Sequence, residues 1–339
     1  MSPLLLAVLL QTPTPAPAPA PAPTPAPAAA PRPARPPRPP RADRYDRDNR
    51  DDVGRPNFDT TVAVTRGARL DLNNFGGDIT VSTWDKSAVH IKADNSERER
   101  VDVDVDPQVV TVRTSSRYGA PHLVSYDITV PAWMALDLEG TYTDITVTGS
   151  QGDITATTVQ GDVDVTGGSG RLSLNSTSGS VKLTKAQGRI DVVTVNDGIE
   201  VTDSKGDISA ETTNGDVELT GIDADNVQAT TINGDVTYDG TIKDGGHYSF
   251  STNNGDVGVS VPTGANVAVT ASTFNGDFDA CFPVNITSSH RHRFSFTLGT
   301  GSAKLELESF GGDLKICRPG EVEKHHDQGK DKDEGDDDE

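Results

Sequence analysis

An aliphatic residue recurs every nine positions without a slip from Leu136 to Val217: Leu136, Ile145, Ile154, Val163, Leu172, Val181, Ile190, Ile199, Ile208 and Val217. Two residues after each stands a second apolar residue, running from Leu138 and Val147 to Ala210 and Leu219. The unit is a short strand with one buried and one wet face. A nine-residue strand-plus-turn cannot bury its apolar face alone, so the units must stack, each on its neighbours. A Gly and a polar residue usually precede the first apolar position, as in Gly161-Asp162, Gly179-Ser180 and Gly215-Asp216. Glycine supplies the positive φ of a tight corner, and Asp is expected to bond its own turn there.

Alternate units differ. One class ends in a Thr/Ser/Asn stretch before its Gly, as in Asn175-Ser176-Thr177-Ser178; the other ends in a shorter turn such as Thr166-Gly167-Gly168-Ser169. The true repeat is therefore an 18-residue coil of two strands and two corners. The fold class this predicts is all-β, a parallel β-solenoid, because an antiparallel roll or sandwich does not require strict registration. The pattern continues through Asn233-Gly234-Asp235, Asn254-Gly255-Asp256 and Asn275-Gly276-Asp277, where the step becomes 21 residues, and echoes once more at Gly311-Gly312-Asp313-Leu314. About eight coils at roughly 4.8 Å per rung predict a rod of about 40 Å. A narrow aliphatic interior with little room for aromatics fits a chain that is 5% aromatic.

The flanks divide the chain further. Residues 58–133 alternate by two less regularly and read as a β-rich section capping the rod, whose regular coils occupy 134–318. Asn74-Phe75-Gly76-Gly77-Asp78-Ile79 anticipates Ser309-Phe310-Gly311-Gly312-Asp313-Leu314, so both ends are expected to share a turn design. Residues 1–11 hold an apolar run, Leu4 to Leu10, that reads as the apolar half of a secretory signal peptide without the usual preceding Lys or Arg. Residues 12–57 are Pro/Ala-rich and then charged, a disordered linker, since fifteen of the 22 prolines lie in residues 1–40. Residues 319–339 form an acidic tail expected to be disordered. The net charge is −21, and no basic stripe exists to neutralise phosphates, so a nucleic-acid partner is disfavoured. No segment approaches the roughly 20 apolar residues of a transmembrane helix.

The run Ile128-Thr129-Val130-Pro131, then Leu136-Asp137-Leu138, Ile145-Thr146-Val147-Thr148-Gly149 and the serial Gly-Asp-aliphatic units resembles the bacterial putative-adhesin, β-strand-repeat family, a domain of unknown function. The resemblance covers residues 58–318. It implies an extracytoplasmic β-solenoid linked to the cell envelope or to envelope-stress signalling, with no established catalytic residues.

Cys281 and Cys317 each stand five residues after a corner Gly and two before a Pro. Matching registration on neighbouring rungs predicts a disulfide between them, which also favours export. Asp162, Asp216, Asp235, Asp256 and Asp277 should line one edge of the rod, and Asn214, Asn233, Asn254 and Asn275 should form an amide ladder beside them. Calcium-binding nonapeptides carry a denser glycine pattern, so the carboxylates read as turn-capping groups, with a calcium-stabilised solenoid as the alternative. Arg171 and Arg189, between Asp153 and Asp207, suggest a mixed-charge ladder on the other edge. His290-Arg291-His292-Arg293 lies in the longest insertion and reads as an exposed polar loop rather than a metal site, as does His325-His326 in the tail.

The coils from 136 to 219 leave no room for long loops walling a cleft with paired carboxylates. The expectation is an exported, non-enzymatic β-solenoid presenting a repetitive polar surface for adhesion, envelope scaffolding or surface sensing. Its partner would be an envelope or surface protein or polysaccharide, and no cofactor or metal is implied. The alternative is a carbohydrate-active or carbohydrate-binding β-helix protein with a site near the 283–310 insertion.

Overall fold

The structure, a computed structural model, describes residues 58–95, 99–116, 119, 123–290 and 292–321. The expected leader (1–11), linker (12–57) and the tail beyond residue 321, with His325-His326, lie outside the described residues, as does Arg291.

Every regular element among the described residues is a strand. The first section holds β1 (Phe58–Ala63), β2 (Arg69–Gly76), β3 (Ile79–Trp84), β4 (Ala88–Asp94), β5 (Glu99–Val105), β6 (Val109–Ser116) and β7 (Ser125–Pro131). Seven two-strand coils follow: β8 (Ala135–Tyr142) with β9 (Ile145–Ser150), β10 (Ile154–Gln160) with β11 (Val163–Gly167), β12 (Ser169–Ser178) with β13 (Val181–Thr184), β14 (Gln187–Val193) with β15 (Ile199–Thr202), β16 (Lys205–Glu211) with β17 (Val217–Ile222), β18 (Asn226–Asn233) with β19 (Val236–Gly240), and β20 (His247–Asn254) with β21 (Val257–Ser260). The last section holds β22 (Val267–Thr273), β23 (Phe278–Ala280), β24 (Ile286–His290), β25 (Arg293–Leu298), β26 (Ala303–Ser309) and β27 (Leu314–Cys317).

The first strand of each regular coil joins a 14-stranded sheet and the second a 13-stranded one, parallel from β8 to β21. Register follows the sequence period: Ile154 lies between Leu136 and Leu172, and Ala156 between Leu138 and Leu174. The inward positions of both sheets form one hydrophobic core. Each coil brings about four aliphatic side chains to it, each worth roughly 1.5–3 kcal/mol when fully buried, and none of them is buried unless the next coil is in place.

The ends depart from chain order. The coil β2–β3 sits between β6–β7 and β8–β9, and the coil β26–β27 sits between β20–β21 and β22–β23. These are the two coils that carry the matching Phe-Gly-Gly-Asp motifs. Beyond them the sheets turn antiparallel, with β4 on β7, β1 on β4 and β5 on β6 at one end, and β25 on β22 and β24 on β25 at the other. Residues 58–133 are thus part stack and part cap, and the C-terminal section has a cap of its own. Thirteen strands in one sheet make the stack longer than eight coils, close to 60 Å at roughly 4.8 Å per rung.

The interior also takes more aromatics than a uniform aliphatic tube. Tyr126, Tyr238, Tyr248, Phe250 and Phe296 are fully buried. Three of them lie where the step between coils lengthens from 18 residues, and Tyr238, Tyr248 and Phe250 pack on one another there. Each phenol finds a carbonyl: Tyr238 donates to Thr241 O at 2.7 Å and Tyr248 to Ala224 O at 2.8 Å. Burial pushes the Tyr238 phenol far above its ordinary range, so it serves as a permanent donor.

Candidate functional site

The edge where each strand of the larger sheet turns into its partner carries the repeated chemistry. In eight of the coils, four residues after the first apolar position, a third side chain points inward, and it is a hydroxyl. Thr158, Ser176, Thr194, Thr212, Thr231, Thr252, Ser309 and Thr273 are buried, and each donates to a backbone carbonyl of the neighbouring rung at 2.8–3.0 Å. The acceptors are mostly the corner glycines, such as Gly215 for Thr231 and Gly234 for Thr252. Asn74 takes this place in the first coil, its amide donating to Gly76 O and Val124 O. In sequence these residues are part of a Thr/Ser/Asn stretch, and their fixed offset from the first aliphatic residue is the signal that marks them as inward-facing.

The glycines that follow adopt φ of 146–151° at Gly161, Gly179, Gly215, Gly234 and Gly255. A Cβ on any of them would run into a backbone carbonyl or carbonyl carbon of the rung beneath. Close stacking, as much as positive φ, therefore demands glycine. The next residue does not cap its own turn as expected. Asp144 Oδ1 accepts the N–H of Asp162, Asp216 that of Asp235, Asp235 that of Asp256, Asp256 that of Asp313, and Asp313 that of Asp277, all at 2.8–2.9 Å. Each carboxylate thus ties one rung to the next, a charge-assisted bond that a self-capping Asp would not make. Ser180 takes the ladder over with both its N–H and hydroxyl on Asp162 Oδ1. Among the described residues no group of three or more His, Cys, Asp or Glu converges to hold a metal.

The amide ladder runs Asn196, Asn214, Asn233, Asn254, with Asn233 donating to Asn214 Oδ1 at 2.8 Å and Asn254 to Asn233 Oδ1 at 2.9 Å. Asn275 is not in it: the rung of Gly311-Gly312-Asp313 stands between, and Asn196 starts the ladder instead.

The position after each buried hydroxyl faces solvent, and there an apolar set gathers: Phe75, Val159, Val195, Ile232, Phe310 and Phe274 are all exposed. Phe274 and Phe310 stack with centroids 4.9 Å apart and planes within 4°, and His292 lies 5.3 Å from Phe274. A groove of about 520 Å³ runs beside them. A second groove, about 570 Å³, crosses the outer face of the same sheet between Arg189, Asp191, Asp207, His247, Lys304 and Glu306.

The opposite edge is ionic. Arg171, Arg189 and Asp207 lie in register, and Asp153 Oδ1 accepts the Arg171 backbone N–H at 3.0 Å. Asp223 meets Lys243 at 2.7 Å and Lys205 at 3.5 Å. The Lys243 hydrogen bond holds the Asp223 carboxyl below its ordinary value, and Asp223 in turn raises Lys243. At the first coils, Asp71 and Asp137 stand side by side in register. Partial burial, then the charges of Asp71 and Glu139, raise the Asp137 carboxyl.

The 283–310 insertion forms the hairpin β24–β25 and the strand β26 rather than walls around a cleft, and it brings His292 to the aromatic pair. Cys281 and Cys317 are joined by a disulfide with Cα atoms 4.8 Å apart, at the ends of the neighbouring strands β23 and β27. No helix among the described residues is long and apolar enough to cross a membrane.

No curated protein matches the chain. Among solved structures, a putative adhesin from Bacteroides fragilis is 14% identical with a TM-score of 0.41, covering 76% of this chain and 96% of its own. A putative cell adhesion protein from Clostridium sporogenes is 13% identical with a TM-score of 0.25, covering 77% and 99%. A putative lipid binding protein from Parabacteroides distasonis is 8% identical with a TM-score of 0.35, covering 76% and 96%. The family model of Toastrack DUF4097 matches residues 67–317, nearly the whole described body. With its β-solenoid of stacked two-strand coils, the chain belongs to the Toastrack DUF4097 family.

Proposed function

We propose that the protein is an exported, non-enzymatic β-solenoid that presents a repetitive polar surface outside the cytoplasm, for adhesion, envelope scaffolding or surface sensing. The observation that carries this reading is the outward row Thr155, Ser173, Asp191, Ser209, Gln228, Ser249, one side chain per rung in unbroken register. A row of short polar groups at roughly 4.8 Å intervals suits an extended, repetitive partner better than a small substrate. The short corners of the regular coils form no long loops that could wall a cleft around paired carboxylates. The apolar run at residues 4–10, the Pro/Ala-rich stretch that follows and the Cys281–Cys317 pair support export.

Two measurements test this. Fusing residues 1–57 to an alkaline phosphatase that is active only outside the cytoplasm should give activity; an inactive fusion removes the export claim. The purified full-length protein should bind isolated cell envelopes saturably and release no reducing sugar from them. Non-saturable binding, or steady product release, would overturn the reading.

A further inference from the structure

Among the exposed apolar residues on this edge, Phe274 and Phe310 are the ones that lie on neighbouring rungs and stack on each other. They are 55% and 51% exposed, yet nothing in the coil needs them there, since other rungs carry Thr213 or Asn253 at the same position. Their centroid separation of 4.9 Å matches the rung spacing, so the rings stack along the solenoid axis. His292 packs against Phe274 with its ring tilted by 32°. The other face of Phe310 looks toward the preceding rung, where the short polar side chain of Asn253 leaves room.

The groove beside this face has a floor of hydroxyls and one carboxylate. Thr230, Ser251, Glu308 and Ser272 lie in register across four neighbouring strands. Ser251 Oγ donates to Thr230 Oγ1 at 3.2 Å, which leaves its lone pairs turned to incoming donors. Glu308 is a solvent-exposed acceptor, and Asn253 offers both donor and acceptor. An anionic ligand is opposed by Glu308 and by a chain of net charge −21. A purely apolar ligand would bury the hydroxyls and the carboxylate without partners. The chemistry that satisfies both surfaces is a ring with an apolar C–H face and a rim of hydroxyls.

We propose that the groove between Phe310, Asn253 and Glu308 binds an uncharged oligosaccharide, one pyranose stacking on the open face of Phe310 and its hydroxyls bonding Asn253, Ser251 and Glu308. This rests on the surface-recognition reading above and names the ligand class for one place on it. The groove volume of about 520 Å³ lies in the range of small-molecule sites, roughly 300–1,000 Å³.

The test is titration of the full-length protein with cellotetraose, chitotetraose, maltotetraose and mannotetraose, followed by calorimetry and by saturation transfer from the protein to the sugar. At least one sugar should bind with a dissociation constant on the order of 0.1–1 mM, as befits a shallow, partly polar groove. Phe310→Ala should weaken it about tenfold, Asn253→Ala severalfold, and Val195→Ala, four rungs from Phe310 on the same edge, not at all. All three positions are exposed, and an unchanged melting temperature verifies the fold. Absence of binding by all four sugars, affinity in Phe310→Ala within twofold of the parent, or binding of an apolar peptide in their place would each overturn the proposal. Saturable envelope binding that survives Phe310→Ala would overturn it while leaving the broader function standing.

Discussion

Asp256 Oδ1 accepts the backbone N–H of Asp313 at 2.8 Å across 57 residues of chain. The coil after Asp256 in sequence is that of Asp277, which instead lies beyond Asp313 and bonds it in turn. The last coil therefore slots between two earlier ones, so β22–β23 has no rung to pack on until β26–β27 is in place. An exposed pair of sheet edges at that point would invite mispairing, and the antiparallel hairpin β24–β25 ends one of them.

The disulfide locks this arrangement, because Cys281 directly follows β23 and Cys317 ends β27, the two strands whose order is reversed. A bridge spanning 36 residues is worth roughly 4 kcal/mol by loop-closure entropy. Reduction, or Cys281→Ser, should lower the unfolding free energy by about 3–4 kcal/mol and expose residues 262–317 to protease before the regular coils. Intact mass under non-reducing conditions should be two hydrogens below the reduced value; equal masses would mean two free thiols.

Gly234 is held at φ 150°, and the Gly215 carbonyl stands where a β-carbon would go. Gly234→Ala should cost about 2–4 kcal/mol, combining backbone strain with forced separation of two rungs. Gly264, at φ 85° with open space around it, is the comparison: Gly264→Ala should cost only about 1 kcal/mol. Urea unfolding of the two variants separates stacking from conformation.

Thr231→Val keeps the side-chain shape and removes the donor to Gly215 O. The loss should be about 1–2 kcal/mol, while Thr231→Ser should retain most of the stability. Equal stability of the valine variant would mean that the buried hydroxyl row only fills space.

Asp137 faces Asp71 directly across the sheet. Its carboxyl is raised above the ordinary 3.8, first by partial burial and then by Asp71, so the folded state takes up its proton more readily than the unfolded chain. That makes the carboxylate a penalty, absent below the ordinary value and fully present above the raised one. Asp137→Asn should therefore stabilise the protein at pH 7 by about 0.5–1 kcal/mol, the scale of a like-charge cross-strand pair, and the gain should vanish near pH 3. A melting temperature unchanged at pH 7 would show that solvent already screens the pair.

Much of the stack was legible in the residues. Ile154, Leu172, Ile190 and Ile208 recur at 18-residue steps and lie in register as neighbours. Cys281 and Cys317 could be matched through their common distance from a corner Gly. The inward placement of Thr231 and its equivalents is not legible in the residues themselves, because a hydroxyl looks alike in sequence whether it faces water or a neighbouring carbonyl. An Asp beside a corner Gly points in sequence to a bond within its own turn, as in isolated loops; the bond to the next rung exists only once another rung lies about 4.8 Å away. Phe274 and Phe310 meet because a coil was inserted out of order, and no period in the sequence encodes that.

The sequence by itself determined the period, the strand faces and the glycine corners, since those depend on residues within one coil and on its copies above and below. Only the tertiary structure decided where the first and last coils go, which Asn joins the ladder, and what Phe310 faces. Those outcomes depend on which of several compatible edges each coil meets. Hydrophobic burial is nearly the same for every such choice, and the selection falls to caps, the disulfide and rung-to-rung hydrogen bonds, which act only between segments already brought together.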